Sequence, residues 1–341
     1  MTSTNKTKDD GFPVDFVIPW VDGSDPEWIR EFNKYAPKEN QRDVDASVQR
    51  YRDYGFLRYW FRGVETFAPW VRKVHFVTCG QKPDWLNLDA PKLHWVKHSD
   101  YIPQGCLPVF SANPIELYMH RIPGLSEKIV YFNDDFFLTR PIRKNFFFKK
   151  GLPCDSAVMN AEAGSGTLMT AILFNDLDVI NKKFNKRKTI ARHFFKWFNL
   201  KYGSSFFRNV CLIPWPRFTG FMQPHFAQAF EKSAIEEVWN EFGEVLHRTC
   251  NEKFRSVHDV NQWLFREWQF CKGEFHPVHP FRGKCFFSID DDIDTIVSAI
   301  EKQKYFEIVI NDSDENDYED RIERIKAAFE KILPKKSGFE K

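Results

Sequence analysis

The chain has 341 residues, and its 49 basic and 47 acidic residues give a formal net charge of +2. This near balance argues against a nucleic-acid partner, so any anionic ligand has to be bound locally. The seven cysteines are odd in number and form no Cys-x-x-Cys pair, which argues against a disulfide framework or a zinc knuckle. The polar start and the lack of a long apolar run predict a cytoplasmic protein, soluble or peripheral at the inner face of the cytoplasmic membrane.

The first apolar run, residues 14–21, predicts a strand followed by a tight loop. That loop consists of Asp22, Gly23, Ser24, Asp25 and Pro26. Asp25 or Ser24 is placed to cap a helix that begins at Pro26. The amides of a helix start attract phosphate, and the Asp22 and Asp25 carboxylates suit a metal, a sugar hydroxyl or a proton. The simpler interpretation is that these residues only form the turn and the cap.

The following segments alternate between helical and strand patterns. Phe56, Trp60, Val64 and Phe67 at helical spacing predict a helix packed in the core. Residues 74–77 and 93–96 read as strands, and residues 111–121 as another helix. This alternation predicts an α/β fold with a mostly parallel, Rossmann-like sheet flanked by helices. Ligands of such sheets bind beyond the carboxyl ends of the strands.

Polar residues stand at several of these element ends. Arg50 and Arg52 precede the first core helix, and arginine makes forked contacts with phosphate oxygens, although pairing with the aspartate that follows is the ordinary alternative. Gly80 and Gln81 follow a strand, where glycine lets the backbone approach a ligand closely. His120 either faces the ligand site or is an ordinary solvated or packed histidine.

The most informative stretch is residues 128–140, where an apolar run stops at Asn133, Asp134 and Asp135 and then resumes. Two carboxylates between apolar runs are costly to bury unless a cation pairs them. Hard oxygen ligands at a strand end suit Mg²⁺ or Mn²⁺, and such an ion commonly bridges to a substrate phosphate. The alternative is that the two carboxylates cap a turn or pair with Arg140 and Arg143.

Residues 164–215 are predicted to form a helical insertion in which basic residues alternate with aromatic ones. The pattern suits an acceptor glycan or an anionic membrane edge, and equally an amphipathic helix packed on the main domain. We expect residues 14–163 and 216–333 to form one α/β domain. Residues 1–13 are expected to be disordered, and residues 334–341 to form a tail.

The C-terminal half adds two further candidate sites. Pro224-His225 is predicted to open a helix that runs through residue 242, and a histidine there keeps a lowered pKa because the helix dipole disfavours its protonated form. A neutral imidazole suits a general base. A strand over residues 306–310 ends in Asn311 and Asp312, the second apolar run that breaks into an amide and carboxylates. The two strand ends are placed to supply ligands to one site.

Taken together, these residues resemble the Stealth family, the hexose-1-phosphate transferases of bacterial capsule synthesis, which includes the catalytic core of GlcNAc-1-phosphotransferase. Four blocks carry the resemblance in the family's order: residues 15–26, 50–135, 223–260 and 309–312. The second block is long and specific. Pro19 departs from the small hydroxyl residue that the family often has there, and the fourth block lacks a cysteine.

The resemblance implies a GT-A-like fold and transfer of a hexose-1-phosphate, with N-acetylhexosamine preferred, from a UDP-sugar to a hydroxyl of an oligosaccharide or glycolipid, releasing UMP. The implied ligands of Mg²⁺ or Mn²⁺ are Asp134, Asp135, Asn311 and Asp312. Arg255 is assigned to the transferring phosphate, with His225 or its competitor Asp25 as the base. The assigned substrate contacts are Asp22, Gly23, Ser24, Arg52, Gly80, Gln81, His120, Arg121 and Asp259. The alternatives are a metal-dependent glycosyltransferase that releases UDP and a non-enzymatic glycan-binding module.

Overall fold

The computed structural model describes residues 11–37, 44–46, 51–313 and 318–341. Most of the predicted disordered N-terminus, Arg50 and the acidic residues after Ser313 lie outside these ranges. The strands are β1 (Val14–Pro19), β2 (Val44–Asp45), β3 (Val74–Thr78), β4 (Leu93–Lys97), β5 (Lys128–Tyr131), β6 (Phe136–Leu138), β7 (Phe148–Lys149), β8 (Leu152–Asp155), β9 (Gln228–Glu231), β10 (Arg255–Ser256), β11 (His276–Pro277), β12 (Lys284–Ser288) and β13 (Glu307–Asn311). The α-helices are α1 (Pro26–Tyr35), α2 (Leu57–Phe67), α3 (Ala112–Leu117), α4 (Leu168–Lys183), α5 (Lys186–Arg192), α6 (Phe194–Trp197), α7 (Phe206–Leu212), α8 (Lys232–Asn251), α9 (Trp263–Lys272), α10 (Ile293–Glu301) and α11 (Glu319–Ile332).

The central sheet has the strand order β4-β3-β1-β5-β9. Its first four strands are parallel, and β9 pairs antiparallel with β5 at one edge. Side chains of β1 alternate between two cores: Phe16 and Ile18 pack with α2 and α11, while Val17 packs with residues of α4, α8 and α9. The predicted α/β fold with a mostly parallel sheet flanked by helices is therefore confirmed.

A second sheet of three strands, ordered β12-β13-β6, lies beside the central one. The apolar run that resumes at Phe136 leaves the central sheet and pairs antiparallel with β13 as β6. The backbone amide of Ile310 donates to the carbonyl of Asp135 at 3.0 Å. The two strand ends that break into an amide and carboxylates are therefore neighbours, as the sequence predicted.

The insertion is helical, as predicted, and it packs into the core that α8 and α9 share. Trp197 and Tyr202 are fully buried. The Asn209 side chain ties the insertion to the main domain, because its Nδ2 donates to the carbonyls of Ala157 and Trp197 and its Oδ1 accepts from the amide of Met159. None of the helices in the described part of the chain combines the length and the apolar character that crossing a bilayer requires.

The prediction of a helix that starts at Pro224 is wrong for its first residues. Residues 228–231 form β9, and α8 begins only at Lys232. Ala229 and Phe230 are both buried although they point to opposite faces, which a strand at the edge of a two-layered core allows. His225 therefore lies in the loop before a strand, and the helix-dipole argument for its neutral form does not apply.

Candidate active site

A cavity of about 460 Å³ opens where the parallel strands end. Residues that follow β1, β3, β4 and β5 line it, and so does the end of β13. The loop before β9 reaches the same edge because β9 runs antiparallel to its neighbour. This cleft is the place that the Rossmann-like topology predicts for a ligand.

Some of the predicted site residues line the cleft, and the others lie outside it. The residues that line it are Arg52, Asp134, Asp135, His225, Arg255, Asn311 and Asp312, together with Asn133. The predicted residues that do not line it are Asp22, Gly23, Ser24, Asp25, Gly80, Gln81, His120, Arg121 and Asp259.

The centre of the cleft is an acidic cluster formed by Asp134, Asp135 and Asp53. Solvent reaches the Asp134 carboxylate through the cleft, but protein surrounds it on its other sides. This burial, followed by the charges of Asp135 and Asp53, raises the pKa of Asp134 to about 7. Burial also raises the pKa of Asp53, with a further contribution from Asp22. The cluster therefore gathers more negative charge than the surrounding protein compensates.

The chemistry of this cluster fits Mg²⁺ or Mn²⁺. Asp134 and Asp135 offer carboxylate oxygens, and the amides of Asn133 and Asn311 line the same cleft. Within the described residues, no group of three or more His, Cys, Asp or Glu side chains is arranged to hold a metal by itself. Proteins usually bind Mg²⁺ through one or two carboxylates, and substrate phosphates complete the coordination shell of the ion.

Asp312 differs from Asp134 because it already has partners. The Tyr54 hydroxyl donates to Asp312 Oδ1 at 2.6 Å, and Arg52 Nη1 lies 3.7 Å from Asp312 Oδ2. Burial and the neighbouring Asp312 raise the pKa of Tyr54 to about 12, so Tyr54 remains a donor. Asp312 thus positions the Tyr54 hydroxyl and the Arg52 guanidinium at the edge of the cleft.

His225 stands beside the acidic cluster. Its Nε2 lies 3.6 Å from Asp135 Oδ2, and its side chain is 36% exposed. The ring of Phe136 contacts the imidazole edge to face, with centroids 4.8 Å apart. One ring nitrogen therefore lies near a carboxylate but beyond hydrogen-bond distance, and the imidazole is within reach of a ligand in the cleft.

Glu116 is a cleft residue that the sequence reasoning did not select. It is buried on α3, and the Tyr131 hydroxyl donates to its Oε1 at 3.0 Å. Burial raises the pKa of Glu116, while the positive charge of Arg255 and the hydrogen bond from Tyr131 oppose that rise. A detectable signal existed, since Asn113 and Glu116 are polar residues three apart and thus on one face of an otherwise apolar helix.

Asp259 lies behind the cleft and shapes the segment that carries Arg255. Its Oδ2 accepts from the Asn113 side chain at 2.7 Å and from the amide of Ser256 at 3.0 Å. Burial raises the pKa of Asp259 to about 6. Asp259 therefore links the cleft residue Asn113 to the short strand β10, which presents Arg255, and it acts as a positioning residue.

The loop after β1 is a self-contained network beside the cleft. Asp25 caps α1 by accepting from the amide of Glu27 at 2.9 Å, and Asp22 accepts from the amide and the hydroxyl of Ser24. Gln81 joins the two aspartates, because its Nε2 donates to the Asp22 carbonyl and to Asp25 Oδ2. These contacts are those of the turn-and-cap interpretation.

Two glycines of this region serve backbone geometry. A Cβ at Gly23 would lie 2.4 Å from the carbonyl oxygen of Tyr51, so only glycine allows this approach. Gly80 has a φ of +125°, in the region that favours glycine. The Gly80 amide donates to the Thr78 hydroxyl at 3.1 Å. Both glycines therefore shape the loops around the cleft without lining it.

His120 and Arg121 lie away from the cleft. The His120 ring faces Trp239 of α8 at 5.7 Å, and the Arg121 guanidinium lies over the Tyr118 ring. Burial lowers the pKa of His120 to about 4. The His120 side chain packs between the α3 region and α8, whereas Arg121 is exposed at the surface with its guanidinium over the Tyr118 ring.

One wall of the cleft is aromatic. Trp28, Tyr51 and Phe110 line it, and the rings of Trp28 and Tyr51 lie 4.8 Å apart. The Tyr51 hydroxyl donates to the Phe110 carbonyl at 2.7 Å, which fixes this wall. The cleft therefore combines an acidic centre, cationic side chains and an apolar face on which a ring can stack.

Comparison with known proteins adds sequence relatives. Residues 12–39 match the family model of Stealth protein conserved region 1, and residues 50–154 match that of conserved region 2. The chain is 38% identical over 329 residues to the capsular polysaccharide phosphotransferase WcwK of Streptococcus pneumoniae, covering 96% of this chain and 98% of that protein. It is 39% identical over 335 residues to the exopolysaccharide phosphotransferase cps2G of Lactiplantibacillus plantarum, covering 97% of both. The receptor polysaccharide phosphotransferase WefC of Streptococcus oralis is 37% identical over 340 residues, covering 96% of this chain and 99% of that protein.

Proposed function

The chain belongs to the Stealth family and is a phosphotransferase, and we propose that it transfers a hexose-1-phosphate from a UDP-sugar to a hydroxyl of a capsular or cell-surface glycan. The products are a sugar phosphodiester and UMP, and the preferred sugar is an N-acetylhexosamine. The observation that supports this proposal best is the convergence of an acidic pair, Asp134 and Asp135, with the cationic Arg52 and Arg255 and with His225 in one cleft.

In the proposed reaction the acceptor oxygen attacks the phosphorus next to the sugar. A new bond forms between that oxygen and phosphorus, the phosphorus–oxygen bond to UMP breaks, and UMP leaves with the bonding electrons. The sugar C1–O bond is untouched, so the anomeric configuration is retained. Such transfers depend on in-line positioning and on neutralising the charge of the phosphoryl oxygens.

The residues of this chain have distinct proposed roles in that reaction. His225 accepts the proton of the attacking hydroxyl, and the negative charge of the nearby Asp135 stabilises the imidazolium that forms. Arg255 stabilises charge on the transferring phosphate, and Arg52 contacts the donor. Asp134 and Asp135 would hold Mg²⁺ or Mn²⁺, which when bound supplies positive charge for the phosphate oxygens. Asp25, the competing base, is engaged in capping α1 and is less well placed.

The nature of the released nucleotide tests the proposal. The purified protein is incubated with Mg²⁺, a panel of UDP-sugars and an oligosaccharide acceptor, and the nucleotide is identified by chromatography. UMP together with a phosphodiester in the product supports sugar-1-phosphate transfer. UDP would support the glycosyltransferase alternative instead, and the base and phosphate assignments would then be abandoned. Chelation of the metal should abolish turnover.

The role of His225 is tested by His225→Ala. We expect donor binding to remain while turnover falls about a hundredfold or more, as losses of a general base do. His258→Ala is the matched control, because that histidine is exposed and does not line the cleft. Full activity of His225→Ala would remove this histidine from the mechanism.

A further inference from the structure

The charge of the helical insertion differs sharply from that of the whole chain. Between Asp178 and Glu231 the sequence contains no acidic residue. The same stretch contains ten Lys and Arg residues, whereas the complete chain carries a formal net charge of only +2. The basic residues are Lys182, Lys183, Lys186, Arg187, Lys188, Arg192, Lys196, Lys201, Arg208 and Arg217. Lys182 and Lys183 pair with Asp178 and Glu241, and Lys186 is buried, so the other seven supply the local positive excess that attracts anionic surfaces.

The same segment exposes large apolar side chains. Phe195 is 83% exposed, Leu200 84% and Phe207 66%. Phe194 and Val210 are also exposed, and we call these five residues the apolar patch. Ring contacts run from Phe195 through Phe194, Phe198 and Phe206 to Phe207, so the aromatic part of the patch is continuous. Contiguous exposed apolar groups mark an interaction surface.

The patch is exposed because the opposite side of the insertion is fixed. Trp197 of α6 is fully buried and anchors this short helix, while Phe194 and Phe195 at its start are exposed. On α7, Asn209 and Leu212 are buried, which leaves Phe207 and Val210 on the outer side. The exposed apolar groups are thus presented by an anchored platform.

We propose that the apolar patch and the basic residues around it dock this protein on an anionic lipid surface. Lys and Arg beside Phe and Leu form the combination that interfacial helices use, with apolar groups inserted and cations facing lipid headgroups. Glycan recognition would explain the aromatic rings but not the exposed Leu200 and Val210, because aliphatic chains do not stack on sugars. A second copy of the chain would bring two strongly positive surfaces together, which disfavours self-association through this face.

The insertion also relates this surface to the cleft. Met169, in the first turn of α4, lines the cleft, and the far end of α4 leads into the basic helix α5. The 16 residues of α4 span about 24 Å. An acceptor held at the lipid surface would thus have to extend about 24 Å along α4 to reach the cleft. That consequence rests on the proposed function, whereas docking on lipid does not.

Vesicle co-sedimentation of the full chain tests the proposal. We expect binding to vesicles of phosphatidylglycerol mixed with phosphatidylcholine, weak binding to phosphatidylcholine alone, and a decrease as salt is raised from about 0.1 M to about 0.5 M. Phe195→Ser, Leu200→Ser and Phe207→Ser combined should lower the partition coefficient about a hundredfold. Arg187→Glu with Lys188→Glu should lower it at least about tenfold, since each basic side chain contributes about fivefold near such a surface.

The control variant carries Lys335→Glu and Lys336→Glu, an equal charge change at exposed residues outside the insertion, and should bind like the unaltered chain. Thermal unfolding and turnover with a soluble acceptor verify that the variants are folded. Three results would overturn the proposal: no sedimentation with anionic vesicles, binding that survives the triple serine change, or capture by dextran sulfate without any capture by vesicles. A stable dimer that the triple change dissociates would assign the patch to self-association instead.

Discussion

Two aspartates of the central sheet show how differently one fold treats the same side chain. Asp15, on β1, is fully buried. It accepts from Arg72 Nε at 2.8 Å and from the amide of Ser126 at 2.8 Å, and it lies 2.9 Å from His75 Nε2. Burial alone would raise the pKa of Asp15, but the hydrogen bonds from His75 and Arg72 outweigh it and lower the pKa to about 2.

Asp134, just beyond β5, is in the opposite situation. Burial and the charges of Asp135 and Asp53 raise its pKa to about 7. The surroundings of Asp15 therefore stabilise its ionised carboxylate, whereas the surroundings of Asp134 disfavour ionisation of its carboxyl group. A carboxylate kept in this way is typical of a site where a ligand supplies the missing cation, and strongly perturbed pKa values in clefts mark functional residues.

The largest effect is expected from Asp134→Asn. Turnover should fall by about a hundredfold to a thousandfold, as when a group that stabilises transition-state charge is removed. The thermal midpoint of the metal-free protein should not fall, because the change relieves repulsion within the acidic cluster. Steady-state kinetics and thermal melts in EDTA measure the two effects. Asp178→Asn, at an exposed aspartate paired with Lys182, is the control.

Asp15→Asn should show the reverse pattern. Removing the Asp15 charge should lower the free energy of unfolding by about 2–3 kcal/mol, the amount that its lowered pKa corresponds to. The loss is smaller than for a fully buried ion pair because Arg72 is 39% exposed and keeps contact with water. Turnover per folded molecule should remain, since Asp15 is outside the cleft. Urea unfolding combined with assays below the melting temperature measures both. If Asp15→Asn abolished turnover while stability stayed unchanged, the comparison between the two aspartates would fail.

The pH dependence of stability should distinguish the effect of Asp15 from that of Asp134 without any mutation at Asp15. Folding lowers the pKa of Asp15, so the stability that its ionised carboxylate adds to the folded state is complete above about pH 4. This stability is lost as the pH falls towards 2. The pKa of Asp134 is raised by folding, so its contribution is present below about pH 4 and is lost as pH rises through 7. In EDTA, the midpoint of Asp134→Asn relative to the unaltered protein should therefore increase from pH 4 to pH 7.

Added Mg²⁺ supplies the second arm of that experiment. If the ion binds at Asp134 and Asp135, saturating Mg²⁺ should remove the loss of stability between pH 4 and pH 7 in the unaltered protein, because it favours the ionised carboxylates. Identical pH profiles in EDTA and in Mg²⁺ would place the ion elsewhere.

The smallest effect is expected at Asp312, which lies in the cleft but is paired like Asp15. Tyr54→Phe removes one hydrogen bond to Asp312 and leaves Arg52 in place. A single hydrogen bond contributes about 1 kcal/mol, so KM for the donor should rise about tenfold or less, with little change in kcat. A loss as large as that of Asp134→Asn would show that Asp312 belongs to the acidic centre.

Local patterns in the sequence were sufficient for several features. The apolar runs and their spacing predicted the parallel strands and the helix α2, and the loop after β1 predicted a cap of α1 at Asp25 or Ser24, of which the structure shows Asp25. They also predicted that the strand ends at Asp134 and Asn311 would share one site. These features depend on short-range physics, since strand burial, capping and the placement of carboxyl ends follow from residues close together in the chain.

Other features were decided only by the tertiary structure. The segment after His225 became a strand because the edge of β5 was available to pair with it, which periodicity does not reveal. Glu116 entered the cleft because α3 packs its polar face beside Tyr131 and Arg255, while His120, a few residues away, turned towards Trp239. In the sequence, Asp15 interrupts an apolar run and Asp134 follows one, but neither pattern reveals the pKa of its carboxyl group. Their opposite pKa shifts come from partners 57, 60 and 111 residues away for Asp15 and from the distant Asp53 for Asp134, because electrostatic environment is a property of three-dimensional neighbours.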